Sequence, residues 1–177
     1  MTDLTAASRI AAAIRNVPDF PKPGVQFKDI TPVLADAGLF AASIRLLTEN
    51  FAPGDVDAVV GIDARGFIFS AAAALSLNCG LVPIRKKGKL PWKTIEESYD
   101  LEYGSNTIAM HVDALRPGAR VLLVDDVLAT GGTAAAAVGL LRKAGADIRR
   151  VAFVIELDFL KGRGKLAGLP VHSLVRF

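Results

Sequence analysis

Hydrophobic residues along the chain fall into three spacings: helical, alternating and continuous. Near the N-terminus Leu4, Ile10, Ile14 and Val17 share one helical face, which predicts a helix over residues 4–17. Pro18, Pro21, Pro23 and Gly24 stop that helix and force an extended, turned segment. A second helix is predicted over 39–49, after which Pro53-Gly54 turns the chain into a strand over 56–62. Residues 66–77 read as a buried helix, Asn78-Cys79-Gly80 as a turn and 81–84 as a strand. Val121-Leu-Leu-Val124 is an unbroken apolar run, the mark of a short strand buried on both faces, and a helix-forming run follows over 134–143. Between them, residues 86–106 are too long and polar for an ordinary connection in a compact domain. Within that stretch Tyr99, Leu101 and Tyr103 alternate with Asp100 and Glu102, which predicts a short hairpin able to fold over a ligand. Two buried strands each followed by a helix predict an α/β fold with a mostly parallel twisted sheet and helices on both faces.

Length and composition narrow the class without naming a function. At 177 residues the chain is expected to form one domain, and 51% apolar with 22% charged residues fits a globular protein. A net charge of +3 is too small to make the surface a nucleic-acid footprint, although Arg85, Lys86, Lys87, Lys89 and Lys93 crowd together. No charge occurs between Arg65 and Arg85, a span long enough to raise a transmembrane reading. Ser70, Ser76, Asn78, Gly80 and Pro83 interrupt it, and its alanines carry little transfer energy, so no membrane span is expected. The first residues lack a basic segment followed by an apolar one, and Cys79 stands alone; both point to a cytoplasmic protein. His111 and His172 have no ligand spacing to each other or to Cys79, so no zinc site is expected.

The candidate chemistry lies after the strand at 121–124. Asp125 and Asp126 follow it at once, and Ala129-Thr130-Gly131-Gly132-Thr133 leads into the next helix. Taken alone, that loop reads as a turn with Thr133 as helix N-cap. Joined to the strand, it is a small-residue loop at a helix N-terminus, an arrangement that aims backbone N–H groups at a phosphate. The carboxylates repel phosphate, so they are expected to face sugar hydroxyls or a magnesium ion. Neither G-x-x-x-x-G-K-[ST] nor G-x-G-x-x-G is present, which sets aside the commoner nucleotide loops. Asp63-Ala64-Arg65-Gly66 follows the strand predicted at 56–62, so both loops are expected beyond strand carboxyl ends, where open α/β sheets bind ligands.

The run from Val121 to Thr133 resembles the phosphoribosyl-pyrophosphate (PRPP) signature of the type I phosphoribosyltransferases. Residues 20–34, 61–67, 84–91, 99–104 and 156–163 resemble, in order, segments of the adenine-using branch of that family. The resemblance implies one phosphoribosyltransferase domain over 1–177, with hood segments near 1–34 and 156–165 and a flexible flap near 86–106. The activity it implies is transfer of 5-phosphoribose from PRPP to adenine, giving AMP and pyrophosphate, with Mg2+ brought in on PRPP and no metal ligands from the chain. Ala129, Thr130, Gly131, Gly132 and Thr133 would then grip the 5′-phosphate, and Asp125 and Asp126 the ribose hydroxyls. Asp63, Ala64 and Arg65, with Arg85, Lys86 and Lys89, would meet pyrophosphate, and a cis peptide is expected at Asp63–Ala64. Glu102 matches the flap glutamate used as acid and base at the purine. Val25, Gln26, Phe27 and Lys28, with Arg65 and Leu157, would contact adenine. A homodimer is also implied. A regulator sensing PRPP on the same fold is the alternative, but a DNA-binding one would carry a helix-turn-helix, and one helix before Pro18 does not supply it. Transferases for 6-oxopurines or orotate share the Asp-Asp loop; residues 20–34 and 156–163 favour adenine.

Overall fold

A computed structural model describes residues 5–100 and 105–177, and the chain divides into two compact units, Met1–Leu46 and Leu47–Phe177.

The first unit opens with α1 (Ala6–Ala13), whose N-cap Thr5 accepts the Ser8 N–H on its hydroxyl at 3.2 Å. The helix is shorter than the spacing predicts. Residues Arg15–Pro18 form strand β1 instead, antiparallel to β2 (Gln26–Asp29), with Val17 opposite Phe27. Pro18 disfavours helical backbone at Val17, and cross-strand partners reward the extended form. Asn16 donates to Gln26 Oε1 at 2.8 Å, and Arg15 pairs with Asp29 at 3.5 Å. The Phe20 ring meets the Phe27 ring edge-on at 5.1 Å between centroids. After α2 (Thr31–Ala35) comes α3 (Ala37–Leu47), shifted two residues toward the N-terminus of its predicted position. Asp36 sets that start by accepting the Leu39 N–H at 2.8 Å.

The second unit is built on seven strands. In sheet order they are β5 (Thr94–Asp100), β6 (Ser105–His111), β4 (Gly80–Lys86), β3 (Ala58–Ile62), β7 (Arg120–Leu128), β8 (Asp147–Glu156) and β9 (Val171–Arg176). β4, β3, β7, β8 and β9 run parallel, and β5 and β6 form an antiparallel hairpin on the β4 edge. The predicted hairpin is thus present in its paired strands, with Ser98 and Thr107 hydroxyls 2.8 Å apart across it. α5 (Gly132–Lys143) covers the face carrying Val60, Ile62, Val121 and Leu123. α4 (Gly66–Ser76) covers the other, where Gly61 leaves room for Ser70. β3 is buried along its whole length, which explains its continuous apolar pattern. Among the described residues no helix is long and apolar enough to cross a membrane. Cys79 is half-buried and burial pushes its thiol up, in keeping with an unreactive side chain.

Unequal strand lengths place the site. β7 pairs with β3 only as far as Val124 opposite Gly61, yet continues against β8 through Leu128 opposite Glu156. Asp125 and Asp126 therefore lie within the strand rather than beyond it, on the stretch β3 has already left. Bonding to β8 on one side alone is enough to keep them extended.

Candidate active site

A cleft of about 380 Å³ opens where β3 and β7 part. Its walls are the turn after β3 (Ile62 to Arg65), the end of β7 (Asp125 to Leu128) and the loop entering α5 (Ala129 to Ala134). The structure thus brings together Asp63, Ala64, Arg65, Asp125, Asp126 and Ala129 to Thr133, all expected at one ligand.

The first wall leaves β3 through a cis peptide at Asp63–Ala64, as expected from the resemblance. Arg65 is then the N-cap residue of α4. Its Nε lies 2.8 Å from Asp126 Oδ2, and the Asp126 carboxylate is only 5% exposed. Asp125 Oδ1 accepts the Asp126 backbone N–H at 2.9 Å. Burial pushes both carboxyls above their ordinary value; the Asp126 charge adds to this at Asp125, whereas Arg65 opposes it at Asp126. Two acids side by side near the end of one strand, Asp126 buried and Asp125 half-buried, are costly, which marks them as functional candidates. Gly66 makes the packing possible: a Cβ there would press on Asp125 Oδ1.

The third wall is the small-residue loop. Gly131 is the N-cap of α5 with φ 76°, a left-handed conformation that side chains rarely adopt, and its carbonyl accepts the Ala135 N–H at 2.9 Å. Thr133 therefore sits inside the first turn and does not cap the helix; its hydroxyl donates instead to Tyr99 Oη at 2.9 Å. Behind the loop stands Gly162. A Cβ on Gly131 would run into the Gly162 carbonyl, and one on Gly162 would run into the Ala129 carbonyl and lie 2.8 Å from Gly131 N. Arg163 fixes that support by pairing bidentately with buried Glu156, whose carboxyl it holds below the ordinary range, and by donating to the Val171 carbonyl at 2.9 Å. Gly162, Gly66 and Tyr99 carried no site role in the sequence. Their signal is a backbone approach or a cross-element hydroxyl contact, neither of which leaves a spacing to read.

Arg85, Lys86, Lys89 and Leu157 do not line the cleft. Arg85 is committed to Asp63 at 2.9 Å and to the Lys89 carbonyl at 3.0 Å, while the Lys86 and Lys89 side chains are exposed. Lys87 pairs with Glu96 at 2.7 Å. The Leu157 N–H bonds to the carbonyl of Leu128, a cleft residue, at 2.9 Å. Val25, Gln26, Phe27 and Lys28 occupy β2 and its approach in the first unit. Glu102, with Leu101 and Tyr103, lies outside the described residues. Among the described residues no three His, Cys, Asp or Glu side chains cluster to hold a metal.

Residues 26–167 match the model of the phosphoribosyl transferase domain. The adenine phosphoribosyltransferase of Roseiflexus sp. strain RS-1 is 55% identical over 170 residues, spanning 96% of this chain and 99% of its own. That of Acidothermus cellulolyticus is 57% identical over 167 residues, 94% of each chain. Among solved structures, the adenine phosphoribosyltransferase of Rhodothermus marinus superposes with a TM-score of 0.93 at 52% identity, covering 99% of this chain and all of that one. The Saccharomyces cerevisiae enzyme, solved with adenine and an imino-altritol bisphosphate, gives 0.90 at 40% identity over 96% of this chain and 98% of its own. With this likeness running the length of the chain, and the cleft built from the segments that first suggested it, the chain belongs to the phosphoribosyltransferase family, among the adenine phosphoribosyltransferases.

Proposed function

We propose that the chain transfers 5-phosphoribose from PRPP to adenine, releasing AMP and pyrophosphate, in the cleft between β3 and β7. The observation that carries this is the meeting of a helix N-terminus and a buried acid pair in one cavity. The N–H groups at the start of α5 and the helix dipole suit a 5′-phosphate held by Ala129, Thr130, Gly131, Gly132 and Thr133. Asp125 and Asp126 accept from the ribose hydroxyls, since carboxylate oxygens are acceptors and lie away from the phosphate grip. Asp63, Ala64 and Arg65 take the leaving pyrophosphate. Arg65 supplies the charge, and Arg85, Lys86 and Lys89 belong to the same basic strand end. Adenine recognition rests on the resemblance alone, with Val25, Gln26, Phe27, Lys28, Arg65 and Leu157 named for it.

Two carboxylates suit a Mg2+ ion that arrives on PRPP, because this ion keeps water and substrate oxygens as ligands rather than needing a protein cage. When bound, it neutralises charge on the departing diphosphate. The chain's own part is to hold the sugar, seat the anion and keep water out. We assign the purine proton to Glu102, so Glu102→Gln is expected to lower kcat about 100-fold or more with PRPP binding retained; near-normal turnover would remove that role. The protein is further proposed to act in the cytoplasm as a homodimer. Supporting the dimer, α4 leaves Ile68 and Leu75 exposed, Leu75 at 84%, with Leu81 exposed on β4.

The function is tested by supplying Mg2+ and PRPP with adenine, hypoxanthine, guanine or orotate in turn. AMP from adenine alone is the expected result. Nucleotide from another base would overturn the base assignment, and no product from any base would overturn the enzyme.

A further inference from the structure

The hairpin strand β5 is fastened to α5 at both ends of the helix. At the last turn Lys143 Nζ lies 2.6 Å from Glu97 Oε2 and donates to the Glu96 carbonyl at 2.8 Å. In the middle the Glu97 side chain lies across Gly139, where a Cβ would come within 3.1 Å of its carboxyl carbon. At the first turn the Thr133 hydroxyl donates to Tyr99 Oη. A second cavity of about 330 Å³ runs along this seam, lined by Glu97, Ser98, Tyr99, Gly132, Ala135, Ala136 and Lys165. Gly132 borders both this cavity and the cleft, and Thr133 lines the cleft. Tyr99 therefore meets the phosphate loop from behind.

From this geometry we infer that Tyr99 is a positioning residue: through Thr133 it ties the flap hairpin to the loop that grips the substrate's 5′-phosphate. The inference rests on the phosphate assignment made above. A threonine hydroxyl has one proton and two acceptor lone pairs, and a phenol can both give and take a hydrogen bond. The Thr133 hydroxyl gives its proton to Tyr99 Oη. A phosphate oxygen is the stronger acceptor, so an arriving phosphate takes the Thr133 proton, and Tyr99 reverses to donate to Thr133 Oγ1. The resulting chain, phenol to threonine to phosphate, is charge-assisted and holds β5 against α5 while the site is occupied. Because coupling is reciprocal, β5 seated on α5 strengthens the phosphate grip as much as the phosphate steadies β5.

The test compares AMP with adenosine, which differ only in the phosphate, by calorimetric titration of the full-length protein. Tyr99→Phe keeps the ring and removes the hydroxyl. It is expected to weaken AMP about fivefold, the order of one hydrogen bond, and to leave adenosine unchanged. Thr133→Val should weaken AMP at least as much, and the double variant should be no weaker than Thr133→Val alone. Unaltered AMP affinity in Tyr99→Phe, equal losses for AMP and adenosine, or additive losses would each overturn the latch. Thr133→Val that keeps the full preference for AMP would overturn the phosphate assignment beneath it. A Tyr99→Phe defect alongside an intact Thr133→Val would also overturn the latch, because the phenol would then act by another route.

Discussion

Gly162→Ala is expected to cut kcat/KM for PRPP about 100-fold while leaving a folded protein. The added Cβ would occupy the space of the Ala129 carbonyl and sit 2.8 Å from Gly131 N, backbone atoms with no rotamer to yield. Arg163 holds the next residue on buried Glu156 and on the Val171 carbonyl, so Gly162 cannot retreat without breaking a bidentate pair. The loop is the part that moves. Shifting the α5 N-terminus by an ångström or so misplaces every donor meant for the phosphate, a scale of error that costs about 100-fold. Steady-state kinetics should show that loss mainly in KM for PRPP, with KM for adenine changed far less. Far-ultraviolet circular dichroism should remain that of the unaltered protein, since the sheet is untouched. Gly162→Ala with normal PRPP kinetics would mean the loop does not lean on this glycine.

That prediction also separates what the sequence shows from what only the fold reveals. The strand at Val121–Val124, the helix after Thr133 and the acid pair are legible because burial on both faces and a helix N-terminus leave continuous local patterns. Strands β5 and β6 pair in the polar stretch where the sequence predicts a hairpin, while Leu101, Glu102 and Tyr103 of the alternation lie outside the described residues. Helix α1 is misread past Ala13 because Val17 fits a helical face equally well, and only the partner strand Gln26–Asp29 makes the extended form better. The extra length of β7 is invisible for a similar reason: Asp125 to Leu128 stay extended by pairing with β8, some thirty residues away. Lysines between 85 and 93 look alike in the sequence, yet Arg85 is spent on Asp63 and Lys87 on Glu96. Gly162 and Glu156–Arg163 belong to a segment that the family resemblance highlights, but their task as a backstop for the phosphate loop appears only when β8 and β7 lie side by side.

Asp125→Asn should make the unliganded protein more heat-stable and a far poorer enzyme. Both carboxyls of the pair are raised above their ordinary value of 3.8, chiefly by burial. A carboxyl raised in the folded state costs no stability below its unfolded pKa. The cost grows as pH climbs from there to the folded value and stays constant above it. At neutral pH the wild-type fold carries more of this cost than in acid, and a neutral amide escapes it. Asparagine keeps Oδ1 to accept the Asp126 N–H and fits the same space beside Gly66. An increase in Tm of about 2–4 °C at pH 7 that shrinks as the pH falls toward 4 is therefore expected, the shift that ~1 kcal/mol produces in a domain of this size. The catalytic effect has the opposite sign. As pyrophosphate leaves the anomeric carbon, positive charge builds on the ribose, and an anionic acceptor on its hydroxyls stabilises that charge more than the ground state. Losing it should lower kcat/KM about 100-fold, or about 2.7 kcal/mol of transition-state stabilisation. Thermal unfolding from pH 4 to 8 beside kinetics at pH 7 checks both halves. A variant that is less stable at neutral pH would contradict the electrostatic reading of the pair, whereas one with full activity would place the ribose elsewhere. Stability given up at this acid pair is then the physical trace of a site organised around a substrate that the folded chain must wait to receive.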